Sequence, residues 1–230
     1  MGIKGSAIKN TLIAKIDLRN RLFGIFLPCQ ILITMTKAEN TKQRILETAG
    51  PLYNAKGING TAIDDVLDAA NVTKGCLYSH FENKEDLSVQ TADYLLKKIN
   101  YGISQAMMKE KTAKGKIFAY MDFNKTPLNT YIDGGCPIFN MAVEADDNHA
   151  AVKKMVSSVL AVSQEAFTAI LQSGIDNGEF SKELNPAVFA FKMFSAVEGG
   201  LVMCRVMNTN MPMHGLIKSL KKELESYELE

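Results

Sequence analysis

From Asn40 onward, apolar side chains recur every third or fourth position, and no stretch alternates polar with apolar in the two-residue rhythm of a strand. Ile45, Leu46, Ala49, Leu52 and Tyr53 set the pattern and define one face of an amphipathic helix. Asn40 is its expected N-cap, with Gln43 as capping-box partner. Pro51 is expected to bend it, and Gly57 to end it. A second helix is expected from Thr61, capped by that threonine with Asp64 as its box partner and buried through Ile63, Val66, Leu67 and Ala70. Asn71 and Val72 break the periodicity. Thr73 then caps a short third helix running to His80, with Phe81 as an anchor into the core. Asn83 caps a fourth helix to about Lys111, whose first turn carries Glu85 and Asp86, the charges that the positive end of a helix dipole favours.

Residues 112–116 read as a soft junction. Beyond it, helices are expected near 117–123, 137–145, 149–177, 186–208 and 213–227. Gly178 closes the third of these, and Pro186 opens the one that follows. The chain is therefore all-α. Hydrophobic content of 47% in 230 residues is enough for a substantial core. Cys29, Cys76, Cys136 and Cys204 are too far apart for a zinc knuckle or a disulfide framework, which suits a reducing cytoplasm, and the three histidines are scattered. Neither a metal nor a cofactor is implied. A net charge of +1 leaves nucleic-acid binding open, because cations can gather on one face.

Residues 1–34 differ in character. Lys4, Lys9, Lys15, Arg19 and Arg21 precede an apolar run, Leu22 to Ile33, in the outline of a signal peptide. The run is about half a membrane span, and Pro28 and Gln30 interrupt it. Three readings stand: an over-long start with Met35 as the initiator, a weakly ordered arm, or an export signal. The first is favoured, so 1–34 is expected to be a non-native or disordered extension, and no membrane partner is expected.

Two short helices joined by a three- or four-residue turn form a helix-turn-helix outline. The runs Arg44 to Ala49, Gly57 to Val66 and Asn71 to Leu87 resemble the N-terminal domain of the tetracycline-repressor (TetR/AcrR) family. The likeness spans roughly residues 40–90 and is strongest over Leu77, Tyr78, His80, Phe81, Lys84 and Glu85. It implies a DNA-binding domain over 36–96 and a helical ligand-binding and dimerisation domain over 97–230. It also implies a homodimer, a double-stranded operator and a small-molecule effector. Tyr78 and His80 resemble the family's phosphate-contacting pair, with Ser79 between them. Thr61 and Thr73, at helix N-termini, would turn hydroxyls and amides toward phosphate. Gly75 leaves room for close approach, Lys74 and Cys76 occupy the turn that meets base edges, and Lys84 adds a cation beside the duplex. Cys76 departs from the Thr, Ser or Ala common there. Asp64, Asp65 and Asp68 offset the lysines of this half and are expected to lie away from the groove.

For the effector, Phe118, Met121, Tyr131, Phe139 and Met193 are candidate apolar lining, with Asn140 and Glu144 to orient a polar or cationic group. Cys136, at a helix N-terminus, is a candidate stabilised thiolate. The dimer bundle is expected from the stripes Val152, Val156, Val159, Leu160, Phe167, Ile170 and Leu171, and Ala190, Met193, Phe194, Val197, Leu201 and Val202, although such stripes also suit an intrachain core. A thiol hydrolase using Cys136 with His149 lacks any nucleophile–base signature, so no catalytic residue is assigned.

Overall fold

The computed structural model describes residues 36–229, and the readings of residues 1–34 lie outside them. Met35–Glu230 forms one compact unit. Among the described residues there are nine helices: α1 Lys37–Lys56, α2 Ile63–Ala70, α3 Lys74–Tyr78, α4 Lys84–Met108, α5 Ala113–Phe123, α6 Pro137–Asn148, α7 Ala150–Asp176, α8 Pro186–Val206 and α9 Met211–Glu225. The β pairing described is an isolated bridge between Phe180 and Glu228.

The helix starts follow side-chain chemistry more closely than periodicity does. α1 opens three residues before Asn40. Thr36 is its N-cap, and Glu39 completes the capping box, returning a carboxylate to the Thr36 N–H at 2.7 Å. The helix continues through Pro51 and ends at Gly57, whose φ of 78° a residue with a Cβ adopts poorly. The expected junction at 112–116 is a helix start: Thr112 caps α5 by accepting from the Gly115 N–H at 2.9 Å. α4 stops at Met108 and α6 extends to Asn148, each about three residues from its expected end. Asn83 caps α4 and Pro186 opens α8 behind an Asn185 cap, as their positions imply.

A single apolar cluster runs through the unit. Val66, Leu77 and Phe81 are buried in the helix-turn-helix, Leu87, Leu95 and Ile99 carry the core along α4, and Ile117, Met121, Val152, Leu171, Met193 and Val197 fill the helical half. α4 packs on α1 and also on α5, α6 and α7, so one uninterrupted helix crosses residue 96, the expected boundary between the halves.

The structure separates the expected dimer stripes. Val152, Val156, Phe167 and Leu171 on α7, and Ala190, Met193, Phe194, Val197 and Leu201 on α8, are buried inside this chain. The exposed face of α8 shares only Val202 with the expected stripe. Val188, Phe191, Val202 and Val206 fall at helical spacing on it, with Phe191 65% and Val206 83% exposed.

Candidate nucleic-acid interface and the helix that braces it

α3 is held at both ends by its own sequence. The Thr73 hydroxyl accepts from the Cys76 N–H at 3.2 Å, and the Ser79 hydroxyl donates to the Cys76 carbonyl at 2.7 Å. Five residues are too few for a helix to persist alone, so packing must supply the stability. Leu77 and Phe81 do this from the inner side, where burial of each is worth about 1.5–3 kcal/mol. Asn71, at φ 50°, makes the left-handed turn that separates α3 from α2.

Anchoring through Leu77 and Phe81 turns the other side chains outward. Lys74, Gly75, Tyr78 and Ser79 are exposed, Cys76 and His80 are half-buried, and Lys84 stands exposed at the first position of α4. Tyr78 is 38% exposed, so its ring rests on the protein while part of it faces solvent. A Cβ added at Gly75 would meet nothing, so this glycine leaves open space rather than room for a neighbouring helix. Lys42 on α1, which sequence reasoning passed over, brings its ammonium 5.3 Å from the Phe81 ring and adds a cation beside α3. Of the acidic residues nearby, Asp65 is neutralised by Lys56 at 2.7 Å, and that hydrogen bond holds its carboxyl below the usual range.

Thr61 is a correction. The N-cap of α2 is Ala62, which makes no side-chain cap bond. Thr61 is 1% exposed, and its hydroxyl turns inward to donate to the Gly57 carbonyl at 2.7 Å. It closes the turn after α1 instead of facing a phosphate.

Behind this surface, α6 braces the domain. The Glu144 carboxylate accepts from the backbone N–H groups of Ile58 and Asn59 at 2.8 Å each. The Asn140 side-chain amide lies 3.1 Å from the Asn54 carbonyl, 3.0 Å from Asn54 Oδ1 and 3.1 Å from the Gly134 carbonyl. Buried Asn54 in turn donates to the carbonyls of Asp133 and Gly135 at 2.7 and 3.0 Å. Two glycines make the approach feasible. A Cβ at Gly57 would stand 2.9 Å from Glu144, and one at Gly134, where φ is 100°, would stand 2.9 Å from the Asn54 backbone. Asn140 and Glu144 were expected to orient an effector. Their polar atoms are instead committed to the end of α1 and the turn after it.

The remaining candidate lining residues differ in exposure. Met121 and Met193 are fully buried, Phe118 and Phe139 are half-buried, and Tyr131 is exposed. Lys221 covers the Phe118 ring at 4.7 Å, and Tyr131 packs on Phe123 at 5.5 Å. The expected Cys136 thiolate is also corrected. Cys136 is the N-cap of α6, but burial pushes its thiol well above the usual range, and Glu198 beside it adds to the shift. Desolvation outweighs the helix terminus there.

Residues 45–90 match the family model for bacterial regulatory proteins of the tetR family, and residues 115–220 match that for the tetracyclin repressor-like C-terminal domain. The HTH-type transcriptional regulator YhgD of Bacillus subtilis (strain 168) is 30% identical over 158 residues, which cover 66% of this chain and 78% of that protein. The chain belongs to the TetR family. It is a DNA-binding transcriptional regulator, not an enzyme, and the helix-turn-helix described above is that family's DNA-binding module. The HTH-type transcriptional repressor DhaR of Mycobacterium sp. (strain GP1) is 22% identical over 75% of this chain and 86% of its own. Among solved structures, a TetR transcriptional regulator from Chloroflexus aurantiacus superposes with a TM-score of 0.80 at 29% identity, over 84% of this chain and 98% of that one. A TetR-family regulator from Cytophaga hutchinsonii gives 0.77 at 27% identity, over 85% and 98%. TetR-family regulators bind DNA operators and small-molecule effectors, generally as dimers.

Proposed function

We propose that this TetR-family protein is a cytoplasmic repressor that grips a roughly palindromic operator as a homodimer and releases it when a small molecule occupies the helical half. The observation that carries the reading is the two-sidedness of α3. Leu77 and Phe81 lock it to the core, while Lys74, Tyr78, Ser79 and the neighbouring Lys84 stand free to meet a duplex. Lys74 and Cys76 are assigned to base edges. Thr73, Gly75, Tyr78, Ser79, His80 and Lys84 are assigned to the phosphate backbone, where contacts set register rather than sequence. Thr61 supports this surface from beneath. The repressing sign follows the relatives named as repressors, DhaR among them.

The second copy explains α8. That helix is long and apolar enough to cross a membrane by length and composition, yet its inner face is packed in this chain's core. A helix apolar on all sides is one buried on all sides. The bare stripe of Val188, Phe191, Val202 and Val206 is the surface a second copy would cover. Two α3 helices would then enter successive major grooves about 34 Å apart. Effector binding shifts the population toward a dimer with a different spacing, and the Glu144–Asn140 brace is the part of the helical half that α1 would feel.

Selection of bound DNA from a random pool, followed by gel retardation at low ionic strength, tests the reading. A palindromic consensus retarded by wild type, and more weakly by Lys84→Ala, is expected. No retardation of any duplex overturns it.

A further inference from the structure

Three polar groups meet inside the helical half, where apolar packing alone would serve the fold. Glu198 on α8 is 3% exposed, and Tyr120 on α5 is fully buried. The Cys136 thiol, at the start of α6, lies beside Glu198, close enough to act on its charge. Glu198 Oε2 and the Tyr120 hydroxyl meet no hydrogen-bonding partner among the described residues. The Glu198 charge raises the Tyr120 phenol's pKa after burial does, which places the two within electrostatic reach. Phe167 and Phe194 close around Tyr120, with ring centroids 4.6 and 6.4 Å from it. Buried polar atoms are paired in nearly all folded proteins, and a buried carboxylate left unpaired is costly.

We infer that Glu198, Tyr120 and Cys136 form the recognition point for an amine, so that the effector is a small organic cation with an aromatic or alkyl body. This rests on the regulatory reading above. An ammonium carries several N–H donors and a positive charge. One N–H meets Glu198 Oε2 and another meets the Tyr120 oxygen, so both unpartnered atoms are satisfied together. The faces of Tyr120, Phe167 and Phe194 attract the cation through their quadrupoles and receive its apolar body. A carboxylic acid is repelled by Glu198. A neutral alcohol can donate once but leaves the carboxylate uncompensated. Desolvation pushes the Glu198 pKa up to about 7, so at neutral pH a cation also captures the proton-free form and displaces a proton from the remainder.

The same group is wired to the DNA-binding half. Cys136 is the N-cap of α6, and α6 carries Asn140 and Glu144, which hold the end of α1 and the turn after it. An ammonium on Glu198 Oε2 neutralises the charge that the Cys136 thiol faces. Any shift of Cys136 moves the first turn of the bracing helix.

The test uses the full-length protein and three probes of one shape, benzylamine, benzyl alcohol and benzoate, followed by isothermal calorimetry and by thermal midpoint at pH 7.5. Benzylamine should bind at least about tenfold more tightly than benzyl alcohol, and benzoate should not bind. Glu198→Gln keeps the shape and removes the charge, so it should bring amine and alcohol within about twofold. Tyr120→Phe should weaken the amine several-fold while keeping its lead over the alcohol, and this variant decides the question if Glu198→Gln does not fold. Equal binding of the three probes, a preference for benzoate, no binding of the amine, or an undiminished amine preference in Glu198→Gln each overturns the inference. None of these readouts contains DNA. Amine selectivity without any operator complex would therefore sink only the regulatory reading, and an intact operator complex without amine selectivity would sink only this one.

Discussion

The Glu144 carboxylate accepts the Ile58 N–H at 2.8 Å across 86 residues of sequence, and its second oxygen takes the N–H of Asn59 at the same distance. One side chain of the helical half thus caps two backbone donors of the turn that leads into α2. Glu144→Ala should lower stability by about 1–3 kcal/mol, because two N–H groups lose a charge-assisted acceptor. It should also uncouple operator affinity from effector. Urea unfolding checks the first part, and gel retardation with and without effector the second. A variant as stable and as responsive as wild type would mean that the brace is not used.

Tyr78→Phe and Lys84→Ala should each weaken binding to specific and random duplexes alike, since both side chains are assigned to phosphates. Lys84→Ala should flatten the salt dependence by about one unit of slope. Binding isotherms at several salt concentrations decide this. An unchanged slope with unchanged affinity removes Lys84 from the interface.

Thr61→Val offers the contrasting case. Its buried hydroxyl donates to the Gly57 carbonyl at 2.7 Å, so the variant should lose about 1–2 kcal/mol of stability. Operator affinity, measured well below the unfolding transition, should stay within about twofold of wild type. A large loss of affinity at full folding would return Thr61 to the DNA surface.

Glu198 gives the protein a pH dependence of known sign. Its pKa is about 7 in the folded chain against 4.5 for the free group, so the folded state holds a proton that the unfolded state has lost between those values. Stability therefore falls as pH rises from about 4.5 to about 7, by about 3 kcal/mol at most, and is level above that window. The partners facing Glu198, Tyr120 and Cys136, both have raised pKa values and stay neutral throughout. Chemical unfolding at pH 5 and pH 8 should show wild type losing more stability than Glu198→Gln over this range. Equal losses would show that the carboxylate is solvated.

Phe191→Glu should turn the proposed dimer into a monomer in sedimentation, because Phe191 is 65% exposed in the single chain and two new charges would face each other across the pair. Operator affinity should fall about a hundredfold or more, as one recognition helix can no longer hold the other near its half-site. A dimer of unaltered affinity would place the contact on another face.

The sequence by itself determined the all-α class, the order of the helices and the helix-turn-helix, because these depend on local properties: apolar spacing, caps such as Thr73 and Asn83, and the short run from Leu77 to Lys84. Tertiary structure alone decided which of two apolar faces of α8 looks inward, since both satisfy the same periodicity and only packing distinguishes Met193 from Phe191. It decided that Thr61 points into the core although threonine there reads as a cap. It also decided that Glu144 and Asn140 serve the DNA-binding half, and that Glu198, an ordinary acidic residue in the sequence, sits buried beside Tyr120 and Cys136. Those pairings join residues tens of positions apart, where no local signal carries the information and only the closed fold brings the partners within reach.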